Sequence, residues 1–272
     1  MLHFLYSTVP GRALLRLLTA RWVSRAAGAF MNSPLSRPLI RPFVRRNQID
    51  LSSYGGAPYR TFNAFFTRPV LDGLRPFDSA PEAVCAPCDG LASAYRITDG
   101  LVIPAKQSRY GLQDLLGDAA LAKKFDGGTC LVIRLCVNHY HRYAYPDGGT
   151  KEKNVFLAGR LHTVRPIALR TVPVFLENCR EYTVLHTAHL GDVVQMEVGA
   201  MLVGKIANAH GEGHTFRRGE EKGMFLYGGS TVILLLGKEN EIDRAIFDAT
   251  AAGEETPVVM GQRIGTGAVQ AR

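Results

Sequence analysis

Tyr227-Gly228-Gly229-Ser230-Thr231-Val232-Ile233-Leu234-Leu235-Leu236 is the stretch on which the reading of this chain turns. Its second half is a short apolar run bounded by glycines, the pattern of a strand buried on both faces. Its first half puts the Ser230 hydroxyl at the mouth of that strand, directly after two residues without a Cβ. Glycine occupies backbone conformations closed to other residues, so the chain here can bend enough for a serine to face its own preceding carbonyl carbon. The plain alternative is a Gly-Gly turn entering a strand, with Ser-Thr as ordinary strand-start residues. Five residues alone do not separate the two readings.

Working outward, strand signals dominate from about residue 84: Cys130–Val137, Tyr182–Thr187, Val193–Val198 and Ala200–Ile206 join Thr231–Leu236, with Gly, Asp and Pro clusters between them. In that half only Gln113–Lys124 reads as helical. Thr61–Phe66 reads as a short helix capped by Thr61 or Asn63 and stopped before Pro69. Pro34, Pro38 and Pro42 are expected to break any helix running on from the N-terminus, which sets a boundary near residue 50. The fold class expected is α+β and mainly β, a sandwich- or barrel-like β body (51–272) behind a helical basic segment (1–50).

The 272 residues carry a net charge of +8, with 46% apolar and 21% charged residues, which excludes a disordered chain. The charge is lopsided. Residues 1–50 hold eight arginines against the single acid Asp50, so almost all of the excess lies there. A basic arm that also carries Leu14, Leu15, Leu18, Trp22, Phe30 and Phe43 suits an anionic membrane surface, and no nucleic-acid motif accompanies it. The same pattern fits a helix packed on the protein's own body, or a transit peptide. No stretch is long and apolar enough to span a bilayer. Five irregularly spaced cysteines form no disulfide framework and point to a reducing compartment.

A nucleophilic serine needs a base, and a base in the triad arrangement needs a partner that fixes its tautomer. Asn138-His139-Tyr140-His141-Arg142-Tyr143 follows a strand and offers histidines there, while Pro87-Cys88-Asp89-Gly90 offers an acid in a tight turn. Each has a bland reading as a loop histidine or a turn aspartate. Cys85-x-x-Cys88 has no second pair, and metal binding is not expected. His186-x-x-His189 and His210-x-x-x-His214 raise the same suspicion. The second pair lies in glycine-rich sequence, so its spacing is not expected to bring the rings together. Arg165, Arg170 and Arg180, interleaved with apolar residues, could line a pocket for an anionic headgroup or merely face solvent.

These pieces together resemble the phosphatidylserine decarboxylases, a family of pyruvoyl-dependent enzymes. The resemblance rests on Tyr59-Arg60-Thr61-Phe62-Asn63-x-Phe65-Phe66-x-Arg68-Pro69, Pro87-x-Asp89-Gly90, Tyr140-His141-Arg142, Val198-Gly199-Ala200 with Val203-Gly204, and Gly229-Ser230-Thr231, five motifs in order over most of the chain. It implies that Ser230 attacks the Gly229 carbonyl, with His141 as base and Asp89 orienting it. The chain would then part into a β chain, 1–229, and an α chain, 230–272, that stay together. Residue 230 would become a covalent pyruvoyl group, the only cofactor expected, which forms a Schiff base with the substrate amine. Phosphatidylserine would be the substrate and phosphatidylethanolamine the product. The enzyme would sit peripherally on the cytoplasmic face of the cell membrane, and a homodimer is compatible with this picture.

Two departures stand out. Many members carry a second histidine three residues after the first, where this chain has Ala144, so that His141 serves both reactions, or water or a neighbour such as His139 fills in. The residue before the scissile glycine, often leucine, is Gly228. The rival readings are an uncut, non-catalytic lipid-binding paralogue and a pyruvoyl decarboxylase of a soluble amino acid. A serine hydrolase is disfavoured because no G-x-S-x-G elbow surrounds Ser230.

Overall fold

The run 231–236 forms the middle of the structure because every one of its side chains has apolar neighbours on offer, on alternate faces. In the computed structural model, which describes residues 4, 8, 10, 11, 15, 21–105, 108–164, 173–200, 206–226 and 230–268, it lies in the strand Ser230–Leu236. This strand pairs antiparallel with Thr129–Leu135 on one side and Asp192–Val198 on the other. The sheet extends outward through Gly90–Arg96 and Thr256–Val258 in one direction, and through Arg180–Thr187, Gly149–Lys151 and Thr215–Phe216 in the other. Val155–Leu157 also pairs with Arg180–Thr187, making nine strands in all.

The two-residue alternation of strands sorts the side chains into two cores. Val232, Leu234, Leu236, Leu131, Ile133 and Leu135 belong to one core. Ile233, Leu235, Cys130, Val132, Val194 and Met196 belong to the other. An antiparallel sheet buried on both faces needs a cover on each. The second core is closed by the helices Leu112–Leu116 and Ala119–Lys124. The first is closed by the helix Arg244–Ala251 and by Tyr143 and Phe225 of a small sheet. That small sheet runs Ile206–Asn208, Glu221–Phe225, Arg142–Ala144.

Several sequence expectations shift. The Gln113–Lys124 helix is two short helices, because Gly117 takes a left-handed conformation (φ 67°) that ends the first, and Asp118 caps the second. Thr61 does cap the next expected helix, Phe62–Phe66, accepting a hydrogen bond from the Ala64 amide. The helix Arg21–Met31 stops before Pro34, as expected of the prolines, and the chain beyond it forms two short helices. Pro34–Leu39 forms a 3-10 helix and Ile40–Arg46 an α-helix with Pro42 in its first turn, where a missing N–H is tolerated. The strand expected at Ala200–Ile206 falls mostly outside the described residues, and pairing begins at Ile206.

The segment 31–49 packs on the body. Ile40 and Ile49 share a core with Tyr59, Phe62, Phe65 and Phe66. The buried Ser36 hydroxyl accepts the Phe62 amide at 2.9 Å, and Asn63 donates to Asn32. Among the described residues no helix is long and apolar enough to cross a membrane.

Candidate active site

Ser230 is the first residue of the central strand, opposite Leu135 at the end of its neighbour. It is fully buried, and its Oγ has no hydrogen-bond partner among the described residues. A buried hydroxyl left unpaired forfeits about 1–3 kcal/mol, so its presence asks for a chemical reason. A hydroxyl bound to nothing is also free to attack. Tyr227, Gly228 and Gly229 lie outside the described residues, so the bond expected to break is seen only from its Ser230 side.

Two connections bring His141 to the same end of the sheet. The chain leaves the central sheet at Leu135, the partner of Ser230, and reaches His141 six residues later. The His141 carbonyl accepts the amide of Phe225, five residues before Ser230. The imidazole is fully buried under the ring of Phe66, with centroids 3.9 Å apart. Its Nδ1 lies 2.9 Å from the His139 carbonyl oxygen. A carbonyl can only accept, so Nδ1 carries the proton and Nε2 the lone pair. That Nε2 is itself buried and unpartnered. Burial holds the pKa down at about 3, so the ring is neutral at physiological pH. A neutral imidazole with an unoccupied Nε2 is a general base in its competent form. His141 Nε2 and Ser230 Oγ are not hydrogen-bonded to each other, so the two must close up before a proton moves.

Asp89 is not in the triad arrangement expected of it. Gly90 places it: a Cβ there would meet the Ile133 side chain at 2.5 Å and the Arg134 carbonyl at 3.0 Å, so only glycine fits. The carboxylate receives a two-pronged bond from Arg75 (Nε 3.0 Å, Nη2 2.8 Å) and accepts the Met260 amide at 2.9 Å. The His139 carbonyl, not Asp89, sets the His141 tautomer. His139 holds the opposite tautomer, because its Nδ1 accepts the Cys136 amide at 3.1 Å and leaves Nε2 as the donor. Ala144, at the position of the second histidine of many family members, is buried and lines a cavity of about 230 Å³ with Val70, Arg75, Tyr140 and Arg142.

Arg180 is not available to a headgroup. Its guanidinium is buried and donates to the carbonyls of Asp114, Leu115, Leu176 and Asn178, tying a strand to the covering helices. Arg165 and Arg170 lie outside the described residues. His210 and His214 do come together, against expectation: their rings stack at 3.8 Å beside Glu220, because the chain folds back before Thr215–Phe216. All five cysteines are free.

The fold and this end of the sheet agree with what the chain is similar to. The family model described as phosphatidylserine decarboxylase matches residues 62–266. This chain belongs to the phosphatidylserine decarboxylase family. It is therefore an enzyme, a decarboxylase. It is 42% identical over 266 residues to the phosphatidylserine decarboxylase proenzyme 2 of Clostridium acetobutylicum, covering 97% of this chain and 91% of that one. It is 38% identical to a phosphatidylserine decarboxylase proenzyme of Clostridium botulinum and 36% to one of Clostridium perfringens, with 97% and 92% of the two chains covered in each case.

Sequence reasoning about this family member missed what surrounds the base. The Tyr59–Pro69 motif carries no role that its sequence alone reveals. In the fold its Phe66 is the ring that packs on His141, and Arg68 is completely buried two residues on. Missed as well was Lys222, which donates to both oxygens of Glu197 (2.8 and 2.9 Å) between the two sheets. Burial pushes the Glu197 pKa up and the ammonium pulls it back. A lysine and a glutamate inside strand patterns read as solvent-facing from sequence, and only the covering sheet makes them a buried pair.

Proposed function

We propose that this chain is the precursor of an enzyme that cuts itself at Gly229–Ser230 and then decarboxylates phosphatidylserine with a pyruvoyl group made from Ser230. The observation that carries the reading is the pair of buried, unpartnered groups, Ser230 Oγ and His141 Nε2, at one end of the sheet in a family whose relatives are named proenzymes. Ser230 Oγ, giving its proton to His141 Nε2, attacks the Gly229 carbonyl carbon. The C–N bond breaks and an ester replaces the amide. Loss of the Ser230 Cα proton and of the Cβ–O bond frees residues 1–229 with a C-terminal carboxylate. The dehydroalanine left behind takes up water and releases ammonia.

The position suits a pyruvoyl group, since the atom to be replaced is dry and bonded to nothing that would compete. Such a ketone supplies an electrophile for the substrate amine and a sink for the electron pair left as carbon dioxide departs. His141, the only histidine of the pair with a free lone pair at Nε2, is assigned both proton transfers, which answers the absence of a histidine at 144. Asp89 acts at one remove, through Arg75 and Met260.

The enzyme is further proposed to sit on an anionic membrane surface. Ser36 and Ile40 face the body, while Leu35, Leu39, Arg37 and Arg41 are exposed beside one another, the mix that interfacial segments use. Intact-mass measurement of the purified protein tests the central step. Two fragments divided at 229/230, with the second lacking a free amino terminus, are expected. A single unmodified chain in material that converts phosphatidylserine would overturn the reading.

A further inference from the structure

We propose that Arg68 is the receptor for the phosphodiester of the lipid headgroup, an inference that rests on the phosphatidylserine reading above. Arg68 is completely buried. Its Nη1 donates to the Phe65 carbonyl at 3.2 Å. Its Nε and Nη2 have no hydrogen-bond partner among the described residues. These two donors form one edge of the guanidinium, and the same chain shows what that edge is for. Arg75 uses Nε and Nη2 to grip both oxygens of Asp89, and Arg134 uses the same two atoms on Glu255. At Arg68 the same two donors are buried without a carboxylate among the described residues, the Tyr54 side chain being a polar group that approaches the guanidinium. A planar, two-pronged donor set matches the oxygens of a phosphate.

The surroundings fit an anion that arrives with the substrate. The Tyr54 ring covers the guanidinium face at 4.1 Å and the Phe65 ring lies at 4.9 Å, which steadies the buried cation. Arg68 is two residues from Phe66, the ring stacked on His141, so a group held there is beside the base. Tyr54 packs on Tyr140, which lines the 230 Å³ cavity, so Tyr54 stands between a wall of that cavity and the guanidinium.

Chemistry selects the phosphodiester over the serine carboxylate. The carboxylate loses its charge as carbon dioxide forms, so a cation gripping it would stabilise the ground state more than the transition state. The phosphodiester keeps its charge throughout. Binding it therefore strengthens substrate and transition state alike and shows in KM rather than in kcat.

The test uses the matured enzyme with short-chain phosphatidylserine, comparing wild type, Arg68→Met and Arg68→Lys, with maturation checked by intact mass. Arg68→Met is expected to raise KM by about 10- to 100-fold, the scale of a charge-assisted hydrogen bond, with kcat within about threefold. Arg68→Lys restores part of the loss as a point charge without the fork. Short-chain phosphatidylethanolamine, which has the phosphodiester but no carboxylate, should inhibit wild type competitively and Arg68→Met more weakly by the same factor. Unchanged KM in matured variants, or a fall in kcat alone, overturns the proposal. Should neither variant mature, wild type decides. A carbonate-linked ethanolamine lipid without the phosphodiester is expected to inhibit at least about tenfold less than phosphatidylethanolamine, and equal inhibition overturns the assignment. If wild type fails to turn over phosphatidylserine, it is the function reading that falls instead.

Discussion

His141 combines full burial, a proton fixed on Nδ1 by the His139 carbonyl and a bare Nε2. This state explains how a histidine can act as a base on a serine with no aspartate touching it. His141→Ala is expected to slow self-cleavage by about 10²- to 10⁴-fold, the usual weight of a positioned base, followed as the appearance of the 230–272 fragment. Asp89→Ala should slow it less, because Asp89 bonds Arg75 and Met260 rather than the ring. The pH dependence follows from burial. The folded pKa of about 3 lies below the ordinary histidine value of about 6.5, so the unfolded chain binds more protons between these limits. Stability from this site is present above about pH 6.5 and is lost as pH falls toward 3. Urea unfolding of an uncut Ser230→Ala precursor at pH 7 and pH 4.5 should show a smaller acid loss when His141→Asn is added. An identical loss with and without the histidine would reject its buried neutral state.

At the scale of elements, two contacts hold the site's surroundings against the central sheet. The helix Phe62–Phe66 presents Phe62, Phe65 and Phe66 to a core shared with Ile40 and Ile49, and Phe66 also packs on His141. Phe66→Ala is expected to destabilise the fold by about 3–5 kcal/mol and to slow cleavage as well, since the ring that holds the imidazole is gone. The Lys222–Glu197 pair joins the small sheet to the central one, with Asn208 bonded to both. Removing one member strands the other without water, so Lys222→Ala should lose about 3–5 kcal/mol in chemical denaturation. Replacing both by methionine should cost far less, because no buried charge is then left unpaired.

At the scale of the whole molecule, the arginine-rich N-terminal segment also exposes Leu35 and Leu39. Leu35 is 76% exposed, next to Arg37 and Arg41, while Ser36 and Ile40 dock on the body. Replacing the exposed Leu35, Arg37, Leu39 and Arg41 by serine should weaken co-sedimentation with anionic vesicles and leave cleavage intact. Adding salt should weaken it further by screening the arginines. Binding indifferent to both changes would leave that segment with a packing role alone.

By itself the sequence determined the mainly β class, the central strand, the Thr61 cap and the serine at the strand's mouth. These depend on short-range regularities: a two-residue alternation, a capping hydroxyl, an apolar run bounded by glycines. It marked the motif containing Phe66 and Arg68 without giving it a task, because the task is contact with a histidine 75 residues away. Only the tertiary structure decided that Arg180 is spent on backbone carbonyls, that Asp89 belongs to Arg75, and that His210 meets His214. Hydrogen-bond partners, burial and tautomer are properties of what surrounds a side chain. In the central sheet, where Ser230–Leu236 lies between Thr129–Leu135 and Asp192–Val198, those surroundings come from segments that the sequence sets far apart.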